Sequence, residues 1–597
     1  MLPSDVALKT LYVISTASHA FGRMNVTTDM ALDMVGDRAF ESVMTANSSP
    51  VVSGLALAMS TLLLLLGARI ILTYGKRGTQ YPPGPPTKPI LGNALEFPND
   101  YLQYKFSEWA RQYGDAVSLK VFNQTIISIN SPSLMHELLE KRSVSSSNRP
   151  KNTLTEIITP GDLNMGTAHL ADDTWKAMRR AAQNMLSSKN LKHMEHVQHA
   201  EATQMVQDLI VDPDGWMPHA KRYVTSFLLS VVYGFRAVRH SSPPVRDLVA
   251  VHRRFVDVLG FGGAPPVDLF PVLKLVPKWF ARWKRETEDV GRCQQVLFKG
   301  WADRVRDRLQ RGEATGCLLE DAVRDLEGWG MKNEAWLNNL AGTLLEASDT
   351  VPVTIWSFII CCTKYPDKTA LAAAEMDRVI GPDRVPRLSD LESGKLPYTR
   401  ALIDESMRMY PVAPVGIPHE MGEDEVVDGV LYPKGAVVFQ NTWFMFRDER
   451  YFDRPHEFLP ERFLDNPPFG TRPGVVDDPA RRENLLWGSG RRVCPGQLAA
   501  RKSIDTVCPY LVWAFDFKRG IDPVTGQEAG EPELIFEKGI VAVPAEMPCK
   551  LVPRSKRHVD TVQREFGKVA EDLARYELEI DTEDAAWNRK YRNVHVL

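Results

Sequence analysis

Hydrophobic positions along this chain follow three different rhythms. From Val51 to Ala68 (VVSGLALAMSTLLLLLGA) no residue is charged, and after Arg69 the apolar run resumes as Ile70-Ile71-Leu72. A run of that length crosses a hydrocarbon core as a helix, and Arg69, near its end, reaches the headgroups by snorkelling. Lys76 and Arg77 follow at once, whereas Asp33, Asp37 and Glu41 precede the run. The positive-inside bias therefore places everything after the run in the cytosol. Between residues 90 and 550 the apolar spacing is mainly helical, with short β-like pieces such as Thr125-Ile126-Ile127-Ser128-Ile129 and Val437-Val438-Phe439. Beyond residue 553, Val559, Val562, Phe566, Val569, Leu573 and Tyr576 alternate at spacings of three and four. That is an amphipathic helix, expected to pack on its own domain.

These rhythms divide the chain into a lumenal extension over 1–50, an anchor over 51–75, a proline-rich hinge over 76–92, a large helical domain over 93–552 and a charged amphipathic tail over 553–597. The hinge contains Tyr81-Pro82-Pro83-Gly84-Pro85-Pro86-Thr87-Lys88-Pro89. Consecutive prolines fix the backbone in an extended form, predicting a stiff arm that holds the domain at a set angle to the membrane. The extension is neither a cleaved signal, since about fifty residues precede the apolar run, nor a transit peptide, since it carries Asp5, Asp29, Asp33, Asp37 and Glu41. Its lumenal placement makes Asn25 (Asn25-Val26-Thr27) and Asn47 (Asn47-Ser48-Ser49) candidate glycosylation sites. Asn25 is the better placed, because Asn47 lies close to the membrane.

Composition narrows the function. Over 597 residues, Lys+Arg 72 against Asp+Glu 75 gives a formal net charge of -3, which offers no basic face for a nucleic acid. Seven cysteines without a CxxC pair exclude a disulfide framework and structural zinc, and fit a reduced, cytosol-facing domain. Cys361-Cys362, in an apolar helical run, reads as a pair of buried inert thiols.

One cysteine stands apart. It lies in Trp487-Gly488-Ser489-Gly490-Arg491-Arg492-Val493-Cys494-Pro495-Gly496. A thiolate ligand to haem iron needs a tight backbone turn against a flat macrocycle, hence glycines. It also needs amide N–H groups near the sulfur to tune its potential, and an arginine to reach a propionate. Gly490, Arg492, Cys494 and Gly496 stand at the required offsets, and a helix is predicted from Gln497 to Ala514. The segment resembles the cysteine-ligand loop of the cytochrome P-450 family, Phe-x-x-Gly-x-Arg-x-Cys-x-Gly, with Trp487 in place of Phe.

The resemblance covers residues 80–550 and extends to other motifs. Glu405-Ser406-Met407-Arg408 matches the family's Glu-x-x-Arg helix, whose spacing puts both charges on one face, and Pro460-Glu461-Arg462-Phe463 adds Arg462 to that charge cluster. Trp175 and Arg179 match a Trp-x-x-x-Arg helix directed at one propionate. His419, in Gly416-Ile417-Pro418-His419, resembles the basic residue that touches the other. Glu346-Ala347-Ser348-Asp349-Thr350-Val351, in a helix expected near Asn338–Phe358, resembles the oxygen-activating segment. There Asp349 and Thr350 form an acid–alcohol pair able to relay protons. Glu346, Ala347 and Val351 depart from the family's two small residues and its second hydroxyl.

The resemblance implies a mainly α fold with a small β-region, preceded here by a single transmembrane helix, with haem b held by Cys494. It implies a monooxygenase that uses dioxygen and electrons from NADPH, delivered by a separate NADPH-cytochrome reductase, to oxidise an apolar small molecule. It also implies an endoplasmic reticulum membrane location with the catalytic domain in the cytosol. The hinge, Val412–His419 and Asn441-Thr442-Trp443 look like fungal enzymes of secondary metabolism. Candidate pocket walls are 143–167, 225–275, 344–352 and 412–417, with Phe261, Leu269 and Phe270 as apolar contacts. Two rivals share Cys494: an isomerase or dehydratase that needs no oxygen relay, and a non-catalytic haem sensor. Gly260-Phe261-Gly262-Gly263-Ala264-Pro265 runs into Pro266 rather than a helix and is no nucleotide loop. His193, His196 and His199 read as a solvated helical face.

Overall fold

The computed structural model describes residues 50–260, 263–465, 469–472, 485–522, 525–531 and 535–592, so Asn25, Asn47 and Phe261 lie outside the described residues. The chain divides into two units, Met1–Leu72 and Thr73–Leu597. The first is described from Pro50 onward, as helix α1 (Pro50–Thr73). At 1.5 Å per residue α1 is about 36 Å long, and Leu62, Leu63, Leu64, Leu65 and Leu66 are all exposed along it. The stretch Glu334–Lys364 is also long and apolar, but it is mostly buried inside the second unit and is a core element.

In the second unit, the main helices are α2 (Asp173–Met185), α3 (Ser188–Val211), α4 (Trp216–Leu228), α5 (Pro243–Leu259) and α6 (Arg282–Arg311). They are followed by α7 (Glu334–Glu346), α8 (Thr350–Lys364), α9 (Pro397–Met409), α10 (Gln497–Ala514), α11 (Lys556–Ala574) and α12 (Thr582–Tyr591). Local chemistry sets many of their ends. Pro397 opens α9, and Asn333, Ser555 and Asp581 cap α7, α11 and α12 by accepting backbone N–H bonds.

The strands are few. A four-stranded sheet runs β1 (Ala116–Val121), β2 (Gln124–Ile129), β6 (Val437–Gln440), β3 (His419–Glu420) in spatial order, with β2 and β6 parallel and the other pairs antiparallel. The hairpin β4 (Glu425–Val427) and β5 (Val430–Tyr432) turns through Asp428 and Gly429, both at positive φ, the conformation an Asp-Gly pair supplies. Strands β7 (Phe515–Arg519) and β8 (Cys549–Pro553) pair antiparallel after α10.

The hinge residues lie against the sheet rather than standing free. Ser118 N donates to Pro83 O at 2.8 Å, Arg77 Nη1 to Gly84 O at 2.8 Å, and Asn93 Nδ2 to Pro86 O at 3.0 Å. A Cβ on Gly84 would come within 2.2 Å of the Ser118 carbonyl oxygen, so only glycine allows this approach.

Two features position the site. First, the long apolar helix is interrupted. Between α7 and α8 the residues Ala347–Asp349 form one 3₁₀ turn. Pro352 supplies the cause: it has no N–H for the Ser348 carbonyl four residues back, and its ring crowds that carbonyl. Second, the C-terminal tail is built into the body. On α11, Phe566, Val569 and Leu573 pack with Tyr591 of α12 around Ala200 of α3. Beneath them, Glu201 is fully buried and pairs with Arg222 at 2.6 Å and Arg236 at 2.9 Å. Arg236 in turn pairs with Glu577 at 2.6 Å, and buried Arg308 with Glu579 at 2.9 Å. Tyr591 donates its hydroxyl to Asp208. His193 and His196 are exposed as expected, but His199 is buried, its Nε2 3.3 Å from Glu565 of α11. Spacing alone could not show that the tail covers this turn of α3.

Candidate active site

The cysteine loop runs into α10 with the boundaries the sequence predicts. Its turn is held by Cys494 N donating to Trp487 O at 2.7 Å. Gly490 has φ +56°, and a Cβ there would come within 2.1 Å of the Leu139 carbonyl oxygen. The need for glycine at 490 thus arises within the chain itself. Gly496 differs: an added Cβ would meet Cys494 Sγ and Leu186 Cδ1 at an ordinary 3.9 Å. The Cys494 thiol is half-buried. Burial pushes it up, while backbone N–H groups of Gly496 and Gln497 and the charge of Arg179 hold it down. The balance lies above the ordinary thiol value, and those groups lessen the cost of the thiolate.

Beside this loop three arginines converge. Arg179, from α2, donates to the Val493 carbonyl. Arg492 donates to Ser147 O at 2.8 Å and Ala168 O at 2.6 Å, and its guanidinium lies 4.5 Å from the centre of the Trp175 ring. The third, Arg149, was not marked by any motif. It donates to Gly166 O at 3.0 Å and to Ile417 O and Pro418 O at 2.7 Å. The nearest sequence signal is Pro150, which restricts Arg149 to extended backbone.

Arg149, Arg179 and Arg492 are all buried. Among the described residues every hydrogen-bond acceptor of the three is a backbone carbonyl. Burial and mutual repulsion push Arg149 down to about 9 and Arg492 to about 10, so both stay protonated at neutral pH. Buried cations are normally matched by anions. His419 belongs to the same cluster but adds no charge. Burial pushes it down to about 3, its Nδ1 lies 2.8 Å from Ser146 O, and its Nε2 lies 3.2 Å from Gln440 Nε2. A cofactor with two carboxylates fits this set of cations, and a soft metal on it fits the half-buried sulfur.

Behind the loop, Glu405 of α9 receives Arg408 Nε at 2.7 Å and Arg462 Nε at 3.2 Å, with all three side chains buried. Arg408 also donates to Phe446 O at 2.6 Å and Pro455 O at 2.9 Å. The cluster therefore ties α9 to two loops of irregular chain.

On the opposite side stands the interrupted helix. The Thr350 hydroxyl donates to Ala347 O at 3.1 Å, across the 3₁₀ turn. Thr350, Val351 and Thr354 share a small void of about 20 Å³ with Val412, Leu486 and Trp487, which brings the α8 end against the segment leading into the cysteine loop. Asp349 turns elsewhere, to Lys221 of α4 and to His252 of α5. Glu346 accepts a bond from Gln294 of α6, and burial pushes its carboxyl up to about 8. A neutral carboxylic acid is what makes glutamate tolerable here.

A sequence profile described as Cytochrome P450 matches residues 82–536. The chain belongs to the cytochrome P450 family. It is 34% identical to a cytochrome P450 monooxygenase of Armillaria gallica over 88% of this chain and 99% of that protein. It is likewise 34% identical to the cytochrome P450 monooxygenase acuD of Aspergillus aculeatus, over 88% of this chain and 98% of that one. Identity to patH of Penicillium expansum is 33%, over 86% and 97%. The protein is thus a P450 monooxygenase of the fungal type, and its family implies a haem iron bound through a thiolate.

The arginine cluster makes a test at the position no motif marks. Arg149→Met is expected to weaken haem retention on the order of tenfold to a hundredfold, the value of one or two charge-assisted hydrogen bonds. The transfer rate of haem from the purified protein to excess apomyoglobin measures it.

Proposed function

We propose that this P450 is a haem b monooxygenase in which Cys494 would bind the iron and Arg149, Arg179, Arg492, Trp175 and His419 would hold the cofactor's carboxylates. The observation that carries this reading is the set of three buried guanidiniums, matched among the described residues by backbone carbonyls alone, beside a half-buried thiol. Haem supplies the redox chemistry that activates dioxygen, with the thiolate favouring O–O cleavage. The protein's part is to hold that cofactor, to exclude water through the apolar packing of α7, α8 and the 412–417 segment, and to deliver protons. Thr350 is the alcohol of that delivery and Asp349 its acid. Glu405, Arg408 and Arg462 keep the pocket's shape.

Electrons come, in this reading, from NADPH through a separate reductase. The substrate is an apolar small molecule of secondary metabolism, reached from the 225–275 side. Leu269 packs inward against the β1 core, and Phe270 stands edge-on to Phe122 at 4.9 Å. Val272, Leu275, Trp279 and Phe280 are exposed between Lys274, Lys278 and Arg282, a combination suited to a lipid headgroup region. With α1 as a single-pass anchor over 51–75, this supports an endoplasmic reticulum membrane enzyme with residues 93–552 in the cytosol and 1–50 in the lumen, where Asn25 is the acceptor for glycosylation.

Turnover in reductase-containing membranes under isotopically heavy dioxygen tests the reading. One labelled oxygen atom is expected in the product and the other in the water released with it, with NADPH consumed in step. Product formed without dioxygen or NADPH would instead indicate an isomerase or dehydratase. In Thr350→Ala a larger share of the NADPH consumed is expected to end as hydrogen peroxide. Unchanged coupling there would remove Thr350 from proton delivery.

A further inference from the structure

Glu346 is the last residue of α7 before the break, and its carboxyl accepts the side-chain amide N–H of Gln294 from α6. Gln294 lies between two close approaches of that helix. A Cβ on Gly291 would come within 2.6 Å of the Ile158 carbonyl oxygen, and a Cβ on Gly342 of α7 within 2.2 Å of the Phe298 ring. Residues 291, 294 and 298 are three and four apart, so they share the face of α6 that is pressed on its neighbours. Elsewhere along α7, Arg306 and Gln295 of α6 donate to Asn338 at 2.9 Å and to Asn339 at 2.8 Å, acceptors that carry no charge.

Gln294 and Glu346 are both buried. The amide oxygen of Gln294, Oε1, is buried too and has no hydrogen-bond partner among the described residues. A carboxylate at 346 only accepts and leaves that oxygen unmatched, whereas a protonated carboxyl donates one hydrogen while accepting another. Acid and amide then meet through two reciprocal hydrogen bonds. Among the described residues no charged group acts on Glu346. Lys221 of α4 and His252 of α5 face Asp349, Arg306 of α6 faces Asp303 and Glu334, and α2 brings apolar side chains such as Met178 and Ala182. The titratable group on this side is the hydroxyl of Tyr233, from the turn after α4, which burial keeps neutral.

We propose that Glu346 and Gln294 are a positioning pair: an uncharged acid–amide clasp that fastens α6 to the end of α7, steadies the Ala347 carbonyl to which the Thr350 hydroxyl bonds, and opens when the acid loses its proton. The clasp itself stands on geometry, and its effect on turnover rests on the monooxygenase reading. On ionisation Gln294 Oε1 faces an acceptor in place of a donor, one of the two bonds is lost, and a charge is left in an apolar seam. The proton leaves to water, since Ala347, next along the chain, is exposed and Asp349 is half-buried. Burial sets where this happens by pushing Glu346 up to about 8. The folded value lies above the ordinary one, so the acid's contribution to stability is present below the ordinary carboxylate value and is lost as pH rises toward 8. The clasp is closed at neutral pH and opens on the alkaline side.

Two measurements on the full-length holoenzyme test this, using Glu346→Gln and Gln294→Leu. Infrared difference spectra in an ester-free detergent read the carbonyl band of a protonated carboxyl. At neutral pH the wild type is expected to show a band that Glu346→Gln lacks, and this band is expected to fade as pH rises through about 8. In Gln294→Leu it is expected at higher frequency, the position of an acid carbonyl relieved of its hydrogen bond. In reductase-containing membranes, the share of NADPH that ends as hydrogen peroxide is expected to climb over the same pH range in the wild type. It is expected to stay level in Glu346→Gln, where an amide–amide pair that cannot ionise replaces the clasp. No band assignable to residue 346 at neutral pH overturns the proposal. So does a wild-type spectrum identical to that of Gln294→Leu, a result still obtainable if Glu346→Gln does not fold. An equal climb in peroxide in wild type and Glu346→Gln overturns the positioning role. A wild-type protein lacking the thiolate-type carbon monoxide spectrum overturns the monooxygenase reading instead, and the infrared bands still decide the clasp.

Discussion

Cys494→Ser is expected to abolish the thiolate-type carbon monoxide spectrum of the reduced protein, whereas Cys508→Ser leaves it intact. The two residues sit on one continuous stretch of chain, so the contrast depends on environment. Cys508 lies inside α10, fully buried in the apolar core, and burial pushes its thiol well above the usual range. Such a thiol stays protonated and inert. Cys494 is half-buried and precedes the helix, and the N–H groups of Gly496 and Gln497 and the charge of Arg179 work against the upward push of burial on its thiol. Serine keeps the size and loses the soft, polarisable donor that iron in this family uses. Absorbance spectra of both variants after reduction and carbon monoxide addition decide the matter. Haem still bound through a thiolate in Cys494→Ser would overturn the assignment.

Deleting the chain from residue 555 onward is expected to prevent the catalytic unit from folding, although the family profile ends at residue 536. The deletion removes Glu577 from buried Arg236 and Glu579 from buried Arg308, along with the Tyr591 hydroxyl on Asp208. Breaking one buried ion pair costs about 3–5 kcal/mol. Losing the burial of Phe566, Val569 and Leu573 adds about 1.5–3 kcal/mol each. Together these are as large as the whole stability of an ordinary domain, about 5–15 kcal/mol. Haem content and resistance to limited proteolysis of the truncated protein measure the effect, and a soluble, haem-loaded truncation would overturn it. Acid should loosen the same junction in the intact chain. His199 is buried and held below its ordinary value, so its stabilising contribution is lost as pH falls through that lowered value. Glu565, bonded to His199 and close to Arg387, is held down to about 2. Its contribution is present above its ordinary value and fades as pH falls toward 2.

Much of this was legible in the sequence. The cysteine loop could be read because Gly488 and Gly490 permit turns that other residues resist, Pro495 fixes its own φ, and α10 begins after Gly496. Glu405 and Arg408 were readable because a spacing of three on a helix is a statement about space. The amphipathic stripe from Val562 to Leu573 announced a helix and the face it buries. What the sequence hid is pairing between distant elements. Arg149, Lys221 and His252 come from three separate segments, and no periodicity says that the first joins Arg492 or that the others meet Asp349. The broken helix was hidden differently. Pro352 lies one residue beyond the motif, and its effect falls on the carbonyl of Ser348, inside it. His199 was misread because a helical face looks solvated until its neighbour is known.

The tail's place in the core has a consequence for the order of events during synthesis. Arg222, Arg236 and Arg308 leave the ribosome long before Glu577, Glu579 and Tyr591. Until residues 577–591 emerge, Arg236 and Arg308 have no complete set of counter-charges and α3 exposes an apolar face. The nascent domain is therefore a client for chaperones throughout elongation. Its final closure, and the stable capture of its cofactor, await the emergence of that tail.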